Sequence, residues 1–406
     1  MAAIADSSKN TAKREAGPTV DFSELMQCPV ARKPFEHFGL IDELREADDI
    51  HFGDAAGHPF WAVTAMEPIR EAFQHPQIFS STAVVPDSPE PPYYWIPEML
   101  DAPKHNKWRK LLGPLFSPGA IEALEPKIRQ RFGTIIDEVA PRGKCDFVQD
   151  VALRFPNQIF MDLMGMPVTD ADKFQEWETA ILHAGSSASG DAMKAAGEVH
   201  AYFTDVIAQR RAEPKDDIIS KALSWTIDGE PISNEDMMAF CLLMFMAGLD
   251  TVNTQLTYSA LHLATHDEDR RRINEDPSLI GPAIEEFLRY YSFVTPGRKV
   301  LQDTELAGVQ IKADEMVFLP LAAANRDENE FPNANDVIID RKDNRHIAFG
   351  AGPHRCLGSH LARLELNIAL QEWLKRIPDY RVDPSIPIRE HGGQIGLSNL
   401  PLEWDV

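Results

Sequence analysis

Between Pro231 and Pro277 the chain runs without a proline, and within that run residues 240–249 are apolar on every side. Ser233 followed by Asn234, Glu235 and Asp236 supplies an N-cap and an acidic first turn, so the pattern predicts a helix over about 234–266. At 1.5 Å per residue such a helix is about 50 Å long, and an all-apolar middle has to be enclosed by other elements. The rest of the fold must wrap it.

The flanking sequence provides the wrapping. Residues 104–276 have helical periodicity in most segments, interrupted at Pro141-Arg142-Gly143, Met166-Pro167, Gly185-Ser186-Ser187 and Asp228-Gly229-Glu230-Pro231. Further helices are expected over 67–74, about 281–291 and about 356–376. Residues 58–63 read as a strand, and short runs at 298–301, 304–306, 309–311 and 316–319 read as a small sheet. Six prolines between Ser80 and Pro103 mark a long loop. The expected fold class is mainly α with small β-sheets (α+β), a single large domain over 21–406 after a polar, aperiodic tail at 1–20.

Charge and cysteines narrow the function. With 40 Lys+Arg against 63 Asp+Glu the net charge is −23, a field that repels nucleic acid and anionic membranes. Cys28, Cys145, Cys241 and Cys356 are far apart and lack zinc or disulfide spacing. The most apolar window, 239–249, is about half of a membrane span. A soluble, cytoplasmic protein is expected.

Four groups of residues carry chemistry. In Phe349-Gly350-Ala351-Gly352-Pro353-His354-Arg355-Cys356-Leu357-Gly358 the glycines permit a tight turn, and the cysteine stands where a helix begins, so free amides favour its thiolate. His354 and Arg355 flank it. Taken alone, the segment also fits a glycine loop with an ordinary buried cysteine. Ala247-Gly248-Leu249-Asp250-Thr251 interrupts the apolar helix with a small, polar groove, which also fits a close helix-packing site. His105 and Arg109, four apart, share a helix face suited to a carboxylate. Glu286 and Arg289 place opposite charges at i, i+3.

The pattern F-G-x-G-x-H-x-C-x-G over 349–358 resembles the signature of the cytochrome P450 superfamily of haem-thiolate monooxygenases. The resemblance extends through the other groups in order, from His105 to Cys356. It implies the cytochrome P450 fold, with Cys356 as proximal ligand and metal-binding residue of haem b. It also implies His105, Arg109, Arg298 and His354 at the haem propionates, and Asp250 with Thr251 as catalytic residues delivering protons to bound O2. Glu286 and Arg289 become a structural pair joined by a later arginine, Arg326 or Arg341.

A narrower similarity, to the soluble bacterial camphor-hydroxylating type, rests on Tyr93-Tyr94-Trp95-Ile96-Pro97, on Gly248-Leu249-Asp250-Thr251 and on the C-terminal Leu400-Pro401-Leu402-Glu403-Trp404-Asp405. It implies a pocket from Tyr93, Trp95, Leu243, Met246, Val294 and Ile395. Met246, Gly393, Gln394 and Ile395 depart from that type, so the expected substrate is another small apolar terpenoid or norisoprenoid, camphor- or ionone-like.

No flavin or nicotinamide domain is visible, so electrons must come from outside. Two basic windows, 104–110 and 341–355, stand out from the acidic background. They suggest docking of an acidic iron-sulfur ferredoxin, itself served by an NAD(P)H-dependent reductase, on Lys104, Lys107, Lys110, Arg345 and Arg355, with Arg341 adding to the positive charge. The alternatives are a peroxide-driven peroxygenase and a haem-binding sensor or carrier without turnover.

Overall fold

The computed structural model describes residues 17, 19–26, 32–55, 57–91, 93–183, 190–391 and 395–406. The expected tail therefore falls, over 1–16, outside the described residues, as do Cys28, the break at 185–187, Gly393 and Gln394. The last part of that tail is corrected. Thr19 N–H donates to the Phe52 carbonyl at 2.9 Å, and strand β1 (Val20–Asp21) pairs in parallel with β2 (Ile50–Ala55).

Helix α5 (Asn234–Thr265) is the axis of the molecule. The Ser233 hydroxyl accepts from Asp236 N–H at 3.0 Å, closing the cap that the sequence indicated. Among the helices that precede it are α1 (Met66–Gln74), α2 (Lys104–Leu112), α3 (Arg154–Met164) and α4 (Ala171–Glu178). Helices α6 (Ile280–Tyr290) and α7 (Ser359–Arg376) follow. Helices α3, α4, α6 and α7 all pack on α5. Its first half, through Phe240, Phe245 and Leu249, belongs to one core cluster, and its second half, through Leu256, Tyr258 and Leu261, to another. Each such side chain contributes about 1.5–3 kcal/mol by leaving water.

By length and composition this helix is long enough to cross a membrane, more than the window 239–249 implied, and 61% of its apolar window is buried inside the protein. Packing against neighbouring helices accounts for the apolar character.

The strands correct one expectation. β5 (Gly297–Val300) and β8 (Met316–Phe318) join a six-stranded sheet in the order β1-β2-β3-β8-β5-β4, where β3 is His58–Val63 and β4 is Phe79–Ser80. Only β6 (Thr304–Leu306) and β7 (Val309–Ile311) stay together as a separate hairpin. Val317 pairs with both Trp61 and Arg298, so strands far apart in sequence share one register. That register sets Arg298 in the sheet beside the cavity described below.

The segment before the cysteine loop is clamped from behind. Glu286 and Arg289 on α6 are fully buried, and two hydrogen bonds of 2.7 and 2.8 Å join them. Arg341 Nε donates to both Glu286 oxygens at 3.0 Å, and Ile338 N–H and Asn344 add two more donors. Arg289 in turn donates to the carbonyls of Asn325, Ala334 and Asp336. The third member is thus Arg341. Arg326 turns the other way, to Asp42 at 2.7 Å and the Tyr290 carbonyl.

Candidate active site

A cavity of about 360 Å³ lies between α5 and the cysteine loop, within the usual range for ligand pockets. Along α5 the residues Leu243, Ala247, Thr251 and Gln255 face it at i, i+4 spacing. From the other side come Phe349, Gly350, His354, Cys356 and Gly358.

The loop reaches its position through glycine. Gly350 and Gly352 have φ of 69° and 68°, and a Cβ on Gly352 would stand 2.2 Å from the Phe73 carbonyl oxygen at the end of α1. No other residue type fits there. A short 3-10 turn, Gly352–His354, follows, and α7 starts at Ser359, slightly later than expected. Cys356 N–H donates to the Phe349 carbonyl at 2.8 Å, closing the loop, and its thiol opens to the cavity. Burial away from bulk water raises the Cys356 thiol, while the Gly358 N–H and the guanidinium groups of Arg109 and Arg355 pull it back down.

The basic side chains converge on this cavity. The rings of His105 and His354 stack at 3.8 Å, and Arg109 donates to the Arg355 carbonyl at 2.8 Å, tying α2 to the cysteine loop. Arg298 is 6% exposed and lies over the Phe73 ring. Burial, then His105, Arg298 and Arg109, holds His354 down at about 3, and burial lowers Arg298 to about 10 against the pull of Glu98 and Asp101. Charges pressed together out of water in this way fit a dianionic group at the cavity rim. With an open thiol opposite a helix groove, the donor set therefore fits haem: Cys356 would hold its iron, and the guanidinium groups of Arg109 and Arg298 with the imidazoles of His105 and His354 would hold its propionates.

On the α5 side the groove is built by close approach. A Cβ on Gly248 would meet the Phe160 ring of α3 at 2.9 Å. The Thr251 hydroxyl donates back to the Ala247 carbonyl at 3.1 Å, while the helix continues through it. Asp250 is fully buried on the flank beside the cavity stripe, and its carboxylate accepts from the Asn253 amide at 3.3 Å.

The expected substrate residues are divided. Leu243 and Val294 line the cavity. Met246 does not, because it lies off the i, i+4 stripe and packs against a core cluster. Ile395 is fully buried in the other core cluster. Tyr93 and Trp95 stack on each other at 4.5 Å, away from the lining. Sequence reasoning missed Phe116, Phe160, Phe240 and Phe293, which line the apolar part, and two acids, Glu98 and Glu365. Lone acids inside amphipathic or proline-rich sequence carry no signal of burial.

The basic windows are also revised. Lys104, Lys110, Arg345 and Arg355 are exposed. Lys107 is paired with Asp228 at 2.6 Å, and Arg341 is 6% exposed inside the Glu286 cluster, so it adds nothing to a docking surface.

A cysteine facing a polar helix groove across a cavity rimmed with two arginines and two histidines is the arrangement of a haem-thiolate protein. The cytochrome P450 family profile matches residues 49–385, and the chain belongs to that family, monooxygenases that use haem b with O2 as co-substrate. Similar proteins include a probable cytochrome P450 127A1 of Sinorhizobium fredii, 35% identical, with 86% of this chain and 84% of the relative covered. Mycinamicin IV hydroxylase/epoxidase of Micromonospora griseorubida is 31% identical, covering 90% and 95%. Vitamin D(3) 25-hydroxylase of Pseudonocardia autotrophica is 32% identical, covering 88% and 91%. The crystal structure of CYP101J2 superposes with a TM-score of 0.86 at 28% identity, covering 97% of this chain and 99% of that one.

Proposed function

We propose that this chain is a cytoplasmic, ferredoxin-dependent monooxygenase that hydroxylates a compact apolar terpenoid or norisoprenoid ketone. The observation that carries the reading is the cavity itself: Cys356 on one wall, Thr251 on the other, and His105, Arg109, Arg298 and His354 around the rim. Haem b held there supplies the oxygen-splitting and C–H-oxidising chemistry.

The chain's own residues orient and protect that chemistry. The Gly358 amide and the guanidinium groups of Arg109 and Arg355 favour the thiolate of Cys356. The guanidinium groups of Arg109 and Arg298 would neutralise the propionates, and the imidazoles of His105 and His354 would donate hydrogen bonds to them. Phe160, Phe240, Leu243 and Val294 exclude water and present an apolar wall to the substrate. Asp250 and Thr251 deliver protons at the Thr251 hydroxyl, a route that an apolar pocket would otherwise lack. The named relatives act on mycinamicin IV and vitamin D(3), so the substrate class rests on the similarity to the camphor-hydroxylating type and on the apolar lining by Phe160, Phe240, Leu243 and Val294. Electrons enter from an acidic ferredoxin and its NAD(P)H-dependent reductase on the face of Lys104, Lys110, Arg345 and Arg355, with Lys107 at its edge through the Asp228 pair.

The test is reconstitution with a ferredoxin, its reductase and a terpenoid panel. The reduced carbon monoxide complex should give a thiolate-type Soret band, and rising salt should slow reduction. Thr251→Ala should keep the band and divert most reducing equivalents to peroxide. Tightly coupled product formation in that variant would overturn the assigned role of Thr251. Turnover supported better by peroxide than by ferredoxin would overturn the electron route.

A further inference from the structure

Glu178, the last residue of α4, is buried where no cation meets it among the described residues. It is 1% exposed, and neither of its carboxylate oxygens has a hydrogen-bond partner. The group it senses is Asp250 of α5, itself fully buried. The packing explains the meeting. Phe174 of α4 lies edge-on against Phe245 of α5 at 5.6 Å, so the two helices pack together within a few residues of Glu178 on one and Asp250 on the other. A π-helical stretch, Thr179–His183, begins immediately after Glu178, and such wide turns recur at functional sites. Asp250 is held from its own helix by the Asn253 amide.

Two carboxyl groups in one dry site do not both ionise: burial and the neighbouring charge favour one shared proton. Burial, and then the Asp250 charge, raises Glu178 well above the ordinary carboxylate range, in keeping with Glu178 as the member that stays protonated.

We propose that Glu178 is a positioning residue for oxygen activation, holding a proton in reserve for Asp250. The proposal rests on the monooxygenase reading. As oxygen activation draws a proton toward the Thr251 hydroxyl, the Glu178 proton passes to the Asp250 carboxylate and from there onward, leaving the Glu178 carboxylate ionised. The pair is then reset by one proton from water, so each transfer is balanced without any further reactant. The proton is stored behind Asp250, outside the cavity lining, where neither substrate nor the apolar wall has to accommodate it.

The test uses the holoenzyme and Glu178→Gln, which keeps size and neutrality but holds no transferable acid proton. Infrared difference spectra of wild type minus variant should contain a protonated-carboxyl C=O band that shifts in D2O. The reduced carbon monoxide band and substrate-binding shift should match wild type. Ferredoxin-driven turnover should fall by about tenfold or more, with a larger solvent isotope effect, because a positioned acid contributes 10²–10⁴-fold and Glu178 acts through another group. Glu178→Asp should recover part of the rate. An unchanged infrared spectrum overturns the proposal, as does wild-type turnover and isotope effect in both Glu178→Gln and Glu178→Leu. Loss of the thiolate band from the unmodified protein strikes the monooxygenase reading instead, so the two failures are distinguishable.

Discussion

Behind the cysteine loop and beside the α5 groove the molecule buries charged residues in opposite ways. Glu286, Arg289 and Arg341 form one network in which both Glu286 oxygens accept and the guanidinium groups donate to five different carbonyls. On the groove side, Glu178, Asn157 and Gln255 are buried with polar atoms that have no partner among the described residues. A buried charge persists either by pairing or by protonation. The paired region holds a loop still; the region of unmatched polar groups keeps protons and amides available. On the proposed function, rigidity behind the cysteine loop and proton storage beside the α5 groove are therefore separated within one fold.

The largest effect should come from breaking the paired region. Arg289→Ala leaves Glu286 buried with one partner fewer and releases three carbonyls of the segment 325–336. Removing one member of a buried ion pair costs about 3–5 kcal/mol. Urea denaturation of the holoenzyme should show a loss of that size, together with weaker haem retention. A loss below about 1 kcal/mol would mean that the network is not what fixes the loop.

A pH series tests whether protonation is the other solution. Glu365 on α7 is 3% exposed at the cavity, one of its oxygens has no partner, and burial raises it to about 8 from 4.5. Between about pH 4.5 and 8 the folded state therefore binds more protons than the unfolded chain, so stability falls as pH rises through that window and levels off above it. Each pH unit costs up to about 1.4 kcal/mol. Glu365→Gln should remove that slope, as measured by denaturation from pH 5 to 8. Parallel curves for variant and wild type would show Glu365 to be ionised and paired when folded.

This division also explains what could be read from the sequence. The cysteine loop was legible because its chemistry is local: two glycines, a histidine and a cysteine within seven residues, 350–356. The α5 helix was legible because the absence of proline and a capped start are local too. Arg341 could be named only as one of two candidates, since choosing it required knowing how the segment 332–341 folds back on α6. The sheet that joins 297–300 to 58–63 depends on pairing across the whole chain, which periodicity does not encode. Glu178 and Glu365 look like ordinary acids of solvent-facing helix positions. Met246 and Ile395 were apolar residues whose side of the helix or strand decided between cavity and core.

The smallest effect should have the opposite sign from the first. Asn157 of α3 is 1% exposed, and neither its amide nitrogen nor its oxygen has a partner among the described residues. A buried amide without hydrogen bonds costs about 1–3 kcal/mol relative to an apolar group of the same shape. Its neighbours in sequence, Pro156 and Ile159, line the cavity, so the position is close to the groove without forming its wall. Asn157→Leu should therefore stabilise the holoenzyme by about 1 kcal/mol in urea, where Arg289→Ala destabilises it. Destabilisation instead would mean that Asn157 is bonded through ordered water and belongs to a hydrated groove, and the groove side would then be satisfied by solvent where the cysteine side is satisfied by protein.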